Sequence, residues 1–293
     1  MHNSNQIIDQ HALERNRRRV KMANLFLHQA AADEVATRLN MVNRSFVQTA
    51  IVTPFPSLWR EHHPKATLIR DNDVLCLKPN TFDLIIHAMC LHWSDDLVGQ
   101  LIQCRLGLKP DGLIIGLLLG GKTLNELRFA LTEAETAIVK GLSPRLLPMA
   151  DVRDLGLLLQ RAGFALPVAD STRINVEYRD IYHLMHDLRA MGEANALKDR
   201  TRTLTRRNIF AKANGLYARH FGTDSGRITA TFDVVVLTGW SPGTGQPQPL
   251  KPGSATVRLA DALNTEEHKF LTDNLNLDDL STIKHLNSDG TQD

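Results

Sequence analysis

The stretch Phe82-Asp83-Leu84-Ile85-Ile86, with Leu91-His92-Trp93 and Leu108-Lys109-Pro110-Asp111-Gly112 behind it, decides the fold of this chain of 293 residues. Its first five residues form a nearly unbroken apolar run, which predicts a buried strand. The Lys-Pro-Asp-Gly sequence predicts a turn, and the apolar run 113–119 after it predicts a second buried strand. An amphipathic helix is predicted between them, over residues 96–108. Buried strands that alternate with helices are typical of a parallel sheet covered on both faces, so we expect an α/β fold.

The same alternation continues on both sides of this stretch. Upstream, residues 15–39 predict a helix and residues 46–52 a short strand, which must end before Pro54 and Pro56 because proline cannot donate to a sheet. The further predicted helices cover residues 123–139, 152–161, 181–191 and 198–220. The further predicted strands cover residues 164–168 and 229–240, and the last of these is expected at an edge of the sheet.

Composition and charge exclude several classes of protein. The chain has 34 basic and 32 acidic residues, so its net charge of +2 provides no general attraction to nucleic acid. Its longest apolar run is far shorter than the roughly 20 residues of a membrane-spanning helix, and its polar start lacks the core of a signal peptide. The three cysteines form no metal-binding or disulfide pattern. We therefore expect a cytoplasmic protein without a transmembrane segment, a metal ion or a nucleic-acid partner.

Charge is distributed unevenly along the chain and suggests three regions. Residues 1–40 are predicted to be a basic helical segment, because five basic residues fall between Arg15 and Lys21. Residues 41–263 are predicted to be the main domain, with a helical insert at about 179–220. The acidic residues 264–293 are predicted to be a loosely ordered tail. The basic segment is either a solvated surface or a docking site for an acidic partner or an anionic lipid surface.

Residues Gly116 to Thr123 match the phosphate-binding pattern G-x-x-x-x-G-K-[ST]. A phosphate loop here would expose three consecutive leucines to water, which is unfavourable. The same leucines suit a buried strand with Gly120-Gly121 as its exit turn, since glycine permits sharp backbone conformations. We therefore expect a strand and a turn, and nucleotide binding at 116–123 is the weakest of three functional hypotheses.

The order of the Phe-Asp-Leu strand, the Leu-His-Trp sequence and the Lys-Pro-Asp-Gly turn resembles class I S-adenosylmethionine (SAM) methyltransferases of the BioC-like type. The chain resembles most the family of mitochondrial NADH dehydrogenase complex I assembly factor 5, an arginine hydroxylase, and its bacterial relatives. The segments that carry this narrower resemblance are Gly120–Arg128, Asp154–Phe164, Leu184–Asn195, Gly239-Trp240 and Gly253–Val257. The resemblance implies a Rossmann-like methyltransferase fold, SAM as the cofactor, and a complex I subunit as the protein partner.

The part of the family pattern that binds the cofactor is missing. The family binds SAM at a glycine-rich turn after the first strand and at an acidic residue that ends the second. This chain has no glycine between Met41 and Leu91, and Pro54-Phe55-Pro56 stands at the turn. Only about fifteen residues separate Val52 from the next matching segment, too few for a helix and an acidic second strand. We therefore expect an abbreviated first half of the sheet and a degenerate cofactor site.

Six residues match the remaining cleft of the family. Asp71 and Asn72 match the loop that contacts adenine, and His92 and Trp93 lie beside the opening for substrate. Glu126 and Arg128 follow the Gly120-Gly121 turn. Each pair also has a plain structural interpretation: a polar turn, a packed strand end and a surface helix pair, respectively. The candidate cofactor residues are Asp71, Asn72 and His92, and the candidate cleft residues are Trp93, Glu126 and Arg128. No residue is singled out as catalytic.

Two main hypotheses follow from these residues. In the first, the chain is a catalytically impaired methyltransferase-fold protein that acts as a binding or assembly factor. In the second, it is an active SAM-dependent methyltransferase or an arginine-modifying enzyme that acts on a protein. Kinship of fold does not decide between them, since one fold hosts many functions. The lost glycine turn favours the first.

Overall fold

The structure, a computed structural model, describes residues 6–246 and 257–265. Contacts divide the chain into two units, residues 1–246 and 247–293. The strands are β1 (Thr49–Val52), β2 (Thr67–Ile69), β3 (Phe82–Ala88), β4 (Leu108–Gly120), β5 (Ala165–Tyr178) and β6 (Ile228–Trp240). The helices of the first unit are α1 (Gln10–Arg17), α2 (Phe26–Met41), α3 (Pro56–His62), α4 (Leu97–Gly107), α5 (Asn125–Val139), α6 (Val152–Arg161), α7 (Ile181–Ala190) and α8 (Arg207–Phe221). A short helix α9 (Leu259–Leu263) lies in the second unit.

The six strands form one sheet in the order β2-β1-β3-β4-β6-β5. The first four are parallel, and β6 runs antiparallel between β4 and β5. The predicted α/β fold of the class I methyltransferase type is therefore confirmed. The predicted short first half is also seen: β1 has four residues and β2 three, whereas β4 has 13. The expectation that the residues after Val52 are too few for a helix and a second strand was wrong, because the short helix α3 and the three-residue strand β2 both lie there.

Helices cover both faces of the sheet, which explains the continuous apolar runs in its central strands. All seven residues of β3 are buried. Leu84 and Ile86 face one hydrophobic cluster, which includes residues of α2 and α5, and Ile85 faces a second, which includes residues of α4 and α6. Side chains alternate between faces along a strand, so a strand buried on both sides needs an apolar residue at nearly every position.

The structure corrects three details of the predicted elements. Residues 15–39 do not form one helix, since α1 ends at Arg17 and α2 begins at Phe26 after a short 3₁₀ turn at Met22–Asn24. Strand β6 is central, because it pairs with β4 on one side and with the edge strand β5 on the other. The Lys-Pro-Asp-Gly turn is drawn into the start of β4, with Asp111 at a φ of +61°.

The predicted division into three regions stays a prediction. Helix α2 buries Leu27, Ala31 and Val35 in a core cluster, so the basic N-terminal segment contributes to the packing of the sheet. Helices α7 and α8 lie within residues 179–220, the range of the predicted insert, apart from the last residue of α8. Most of the acidic tail lies outside the described residues. None of the described helices is both long and apolar enough to cross a bilayer.

Candidate functional site

A cavity of about 630 Å³ opens at the carboxyl ends of β1 and β2. Its walls come from the turn after β1, from residues 68–73 around the end of β2, and from residues 10–18 of the N-terminal segment. Ligands of open α/β sheets bind at the carboxyl ends of the strands, and the volume lies in the range of about 300–1,000 Å³ that small-molecule sites occupy. This cavity is the candidate functional site.

The turn after β1 has no backbone N–H group left for a ligand. The N–H of Thr53 donates to the carbonyl of Ile69 at 2.9 Å, and the N–H of Phe55 donates to Thr53 Oγ1 at 3.1 Å. Pro54 and Pro56 have no N–H. A glycine-rich turn holds a cofactor through free N–H groups and close approach of the backbone. Residues 53–56 therefore do not fit SAM as such a turn would bind it.

Asp71 lies in the cavity wall and is already paired. Its Oδ2 forms an ion pair with Arg17 Nη1 of α1 at 2.7 Å, and the side chains of Asp71 and Arg17 are only 11% and 16% exposed. The carbonyl of Asn72 accepts from Gln100 Nε2 at 2.7 Å, and Gln100 Oε1 bonds His87 Nε2 at 3.0 Å. Helix α4 thus holds this loop against the end of β3.

His92, Trp93 and Glu193 form a buried polar cluster next to the cavity. His92 Nδ1 accepts the N–H of Leu119 at 3.3 Å, so its Nε2 carries the proton and donates to Glu193 Oε2, also at 3.3 Å. Trp93 Nε1 donates to the same Glu193 oxygen at 2.9 Å. Burial acts to raise the pKa of Glu193, but His92 and Arg17 outweigh it, so the pKa lies below its usual value. Glu193 is therefore a buried carboxylate with two donors.

His28 of α2 fills the space behind the turn after β1. Its ring meets that of Phe55 edge to face, with centroids 4.8 Å apart. Its Nδ1 is buried without a hydrogen-bond partner. Burial lowers the pKa of His28 to about 3, so the ring is neutral at physiological pH.

The structure brings four of the six candidate residues to this region. Asp71 and Asn72 line the cavity, and Trp93 and His92 lie behind it. Glu126 and Arg128 are placed elsewhere: Glu126 accepts from the hydroxyl of Thr231, and Arg128 donates to the carbonyl of Leu147 at 2.8 Å. These bonds join α5 to β6 and to the segment after α5, and neither side chain lines the cavity.

Sequence reasoning missed Arg17, His28 and Glu193 as members of the site. Glu193 stands inside the Leu184–Asn195 segment that carries the resemblance, which was the available signal for it. Arg17 stood among several basic residues with nothing to distinguish it. His28 gave no signal, because a histidine in a helix becomes a buried partner of Phe55 only in the folded chain.

The structure argues against a phosphate loop at residues 116–123, because these residues form a strand and a turn whose N–H groups already have acceptors. Leu117, Leu118 and Leu119 are buried in β4. The N–H of Gly121 donates to the carbonyl of Ala150 at 2.9 Å, and that of Thr123 to Gly120 at 3.1 Å. The N–H of Lys122 donates to Asp233 Oδ2 at 2.8 Å. A carboxylate of the chain itself occupies the place of a phosphate, because backbone N–H groups at such a turn attract any anion.

Across residues 6–246 and 257–265, no three His, Cys, Asp or Glu side chains are grouped so that they could hold a metal ion.

Comparison with known proteins identifies two groups of relatives. The arginine-hydroxylase NDUFAF5, mitochondrial, of Danio rerio is 39% identical over 198 residues, which cover 68% of this chain and 61% of that protein. The human protein of the same name is also 39% identical, over 68% of this chain and 57% of that protein. Malonyl-[acyl-carrier protein] O-methyltransferase of Xylella fastidiosa is 32% identical over 63% of this chain and 60% of that protein. The aligned part thus spans about three fifths of these relatives.

These relatives confirm the family resemblance predicted from the sequence. Among solved structures, a methyltransferase of Bacillus halodurans aligns with a TM-score of 0.45 and 10% identity, over 71% of this chain and 98% of that one. No protein-family model matches the chain.

Proposed function

Because the chain is a homologue of the NDUFAF5 arginine hydroxylases, we propose that it is a protein-binding factor of the complex I assembly type, built on a methyltransferase fold that no longer works on SAM. The partner is a subunit of the peripheral arm of complex I or its precursor. The cytoplasm is the proposed compartment, although these relatives are named as mitochondrial. One observation carries the loss of SAM chemistry: the turn after β1 has no free N–H group between Thr53 and Pro56.

The occupied cleft supports the same proposal. Asp71, at the end of the strand beside β1, is the carboxylate best placed to accept hydrogen bonds from a cofactor, and it is bound to Arg17. Phe55 and His28 fill the space behind the turn. A bound cofactor would have to displace an ion pair whose two side chains are mostly buried, which is costly because each charge loses its partner.

The exposed basic residues beside the cleft supply a contact surface for an acidic partner. Arg18 and Arg19 follow α1 and are exposed. Opposite charges on two partners speed their association and orient them, even where each single ion pair adds little affinity. This surface lies at the rim of the cavity, so a partner bound there would also reach the cleft.

The second candidate function is an active enzyme, either a methyltransferase or an arginine-modifying enzyme. The buried cluster next to the cavity favours it, because His92 and Glu193 form a histidine–carboxylate pair of the kind that transfers protons in catalysis. The same pair also has a structural role, since it joins the end of β3 to the segment after α7. The turn after β1 argues against SAM in particular, and says nothing about another reactant.

One experiment separates the two functions. The purified chain is mixed in air, with an added reductant, with the peripheral-arm subunits of complex I from the same organism, with and without about 1 mM methyl-labelled SAM, so that both methyl transfer and hydroxylation have their co-reactants. We expect a complex that survives gel filtration equally in both conditions, with no label and no added oxygen on any arginine of the subunits. Transfer of label, or hydroxylation of an arginine, would establish the enzyme and overturn the proposed loss of activity.

A charge-reversed variant, Arg18→Glu with Arg19→Glu, serves as the control for docking. Both residues are exposed, so the fold should tolerate the change. Capture of the subunit should weaken in the variant, as it should for the wild type when the salt concentration is raised. Capture that is independent of these charges would remove the basic segment from the proposed surface.

A further inference from the structure

Strand β5 lies at one edge of the sheet, so its outer side has no neighbouring strand. Its inner side pairs with β6, and residues 168–178 do so one by one without interruption. Within residues 6–246 and 257–265, the backbone of 168–178 makes no hydrogen bond outside this pairing. Every second residue of β5 therefore points its N–H and C=O groups outward, where they can hydrogen-bond to a further strand.

The beginning of β5 is protected against such pairing, and the remainder is open. Pro167 lacks an N–H, and Leu166 has a φ of +49° where the pairing with β6 is irregular. Prolines and bulges are devices by which edge strands avoid pairing with other chains. No proline follows between 168 and 178, so the edge that is available to a partner is restricted to this second part of the strand.

A second copy of this chain matches the open edge in one register. Two identical strands pair antiparallel across a two-fold axis, and residues directly opposite each other lie on the same face of the sheet. Because side chains alternate between faces along a strand, the axis must pass through one residue, which then lies opposite its own copy. Among the possible centres from 171 to 176, only Asn175 places opposite charges together, as Arg173 opposite Glu177.

On the exposed face, this register joins charges that are available to a partner. The side chains of Arg173 and Glu177 are both 52% exposed. Arg173 donates through Nε and Nη2 to a carboxylate of its own chain, and its Nη1 makes no hydrogen bond within the described residues. Since the axis doubles every contact, the two copies form two such pairs. A centre at Arg173 would instead place two guanidinium groups opposite each other, which is unfavourable.

On the other face, the same register joins apolar side chains. Ile174 lies opposite Val176 twice, and both residues already pack against the larger core cluster of their own chain. Cross-strand pairs of β-branched residues and of opposite charges each stabilise an antiparallel pair of strands. The edge is therefore complementary to its own copy on both faces.

We propose that two copies of this chain associate along β5, antiparallel and with Asn175 opposite Asn175, so that their two sheets become one continuous sheet. Residues 172–178 of each copy form the pairing. Backbone hydrogen bonds provide the affinity, and the cross-strand pairs fix the register. The inference is independent of the proposed function, because it uses neither the cavity nor the basic residues beside it.

A disulfide at the two-fold axis tests the register. The variant Asn175→Cys is made in the full chain that also carries Cys76→Ser, because Cys76 is the exposed one of the native cysteines and Cys90 and Cys104 are buried. Directly opposite residues of antiparallel strands have Cα atoms about 4.5–5.5 Å apart, which a disulfide can span. We expect mild oxidation to convert this variant to a covalent dimer. A chain that stays monomeric would overturn the inference.

The matched control places the thiol on the same strand and the same exposed face. Ser171 is exposed, as Asn175 is, and lies four residues earlier. In the proposed register the two copies of position 171 are eight residues apart along the strands, or roughly 27 Å, too far for a disulfide. We expect Ser171→Cys, in the same Cys76→Ser chain, to remain monomeric. Equal cross-linking of the two variants would contradict the register.

A charge reversal tests the association without any added thiol. Glu177→Lys turns both Arg173–Glu177 pairs into repulsive ones, so we expect the dissociation constant of the dimer to rise at least about tenfold in sedimentation equilibrium. Glu61→Lys makes the same change of charge at an exposed position of α3, outside β5, and should dissociate like the wild type. Equal dissociation constants for all three proteins, or a wild type that is monomeric at every concentration, would overturn the inference.

Discussion

Two turns at the carboxyl ends of strands in this sheet differ in their glycine and proline content, yet both lack free backbone N–H groups. The turn after β1, Thr53 to Pro56, contains two prolines and no glycine. The turn after β4, Gly120 to Thr123, contains two glycines and matches a phosphate-binding pattern. Neither offers free backbone N–H groups to a ligand. At the first turn two residues are prolines and the N–H groups of Thr53 and Phe55 have acceptors within the chain, and at the second Asp233 and backbone carbonyls accept them.

The comparison teaches that donor supply, and not glycine content, decides whether such a turn can hold an anion. Glycine removes a steric obstacle, but a site also needs N–H groups without an acceptor in the protein. At the turn after β1 the two prolines have no donor, and the N–H groups of Thr53 and Phe55 are satisfied internally. At the turn after β4 every residue has an N–H group, and these groups are satisfied internally. The following three predictions test these two causes, from the largest expected effect to the smallest.

The filled turn after β1 should make the fold sensitive to acid. The pKa of His28 is lowered to about 3 by burial, against 6.5 in the unfolded chain. Between these values the unfolded chain binds a proton that the folded chain excludes, so the free energy of unfolding falls by about 1.4 kcal/mol for each unit that pH decreases. Urea unfolding of the wild type and of His28→Gln, from pH 7 to pH 4, measures the difference. Parallel pH profiles for the two proteins would place His28 in contact with water.

The turn after β4 should depend on its internal carboxylate. Asp233 is buried and accepts from the Lys122 N–H and from Arg173 Nε at 2.8 Å each. Asp233→Ala removes the charged acceptor of the part-buried Lys122 N–H, so we expect a loss of about 1.5–3 kcal/mol in the free energy of unfolding. Arg173→Ala is the control and should cost less than about 1 kcal/mol, because the Arg173 side chain is 52% exposed. Equal stability of wild type and Asp233→Ala would mean that the turn does not need this acceptor.

Restoring a donor at the turn after β1 should change little. Pro56 is the first residue of α3, where proline is favourable, so Pro56→Ala should lower the free energy of unfolding by less than about 1 kcal/mol. The variant gains one N–H, and we expect no binding of SAM, since Phe55 and His28 still fill the space behind the turn. Pro79→Ala, in an exposed loop outside the cavity, is the matched control. Calorimetric titration that detects SAM binding to Pro56→Ala alone would show that one missing donor explains the loss.

The central strands could be predicted because each is a continuous apolar run with a turn signal at its end. Strand β3 and helices α4 and α6 lie within a few residues of their predicted bounds. The edge position expected for β6 was wrong, since a strand's own residues do not encode which neighbours it pairs with. The break between α1 and α2 was missed because no glycine or proline marks it. There the tertiary contacts of α1 override local helix propensity.

The candidate site divides in the same way. The absence of donors at Pro54 and Pro56 follows from the sequence itself, because proline lacks an N–H in every conformation. That the N–H groups of Thr53 and Phe55 are also occupied follows only from the structure. The family resemblance likewise predicts that Asp71 and His92 belong to one cleft. Only the tertiary structure decided that Arg17 forms an ion pair with Asp71 and that Glu193 accepts hydrogen bonds from His92 and Trp93. It also decided that Asp233 accepts the N–H of Lys122, 111 residues away in the chain. These partners come from distant segments of the chain, and only the packing of the fold brings their side chains within hydrogen-bonding distance of each other.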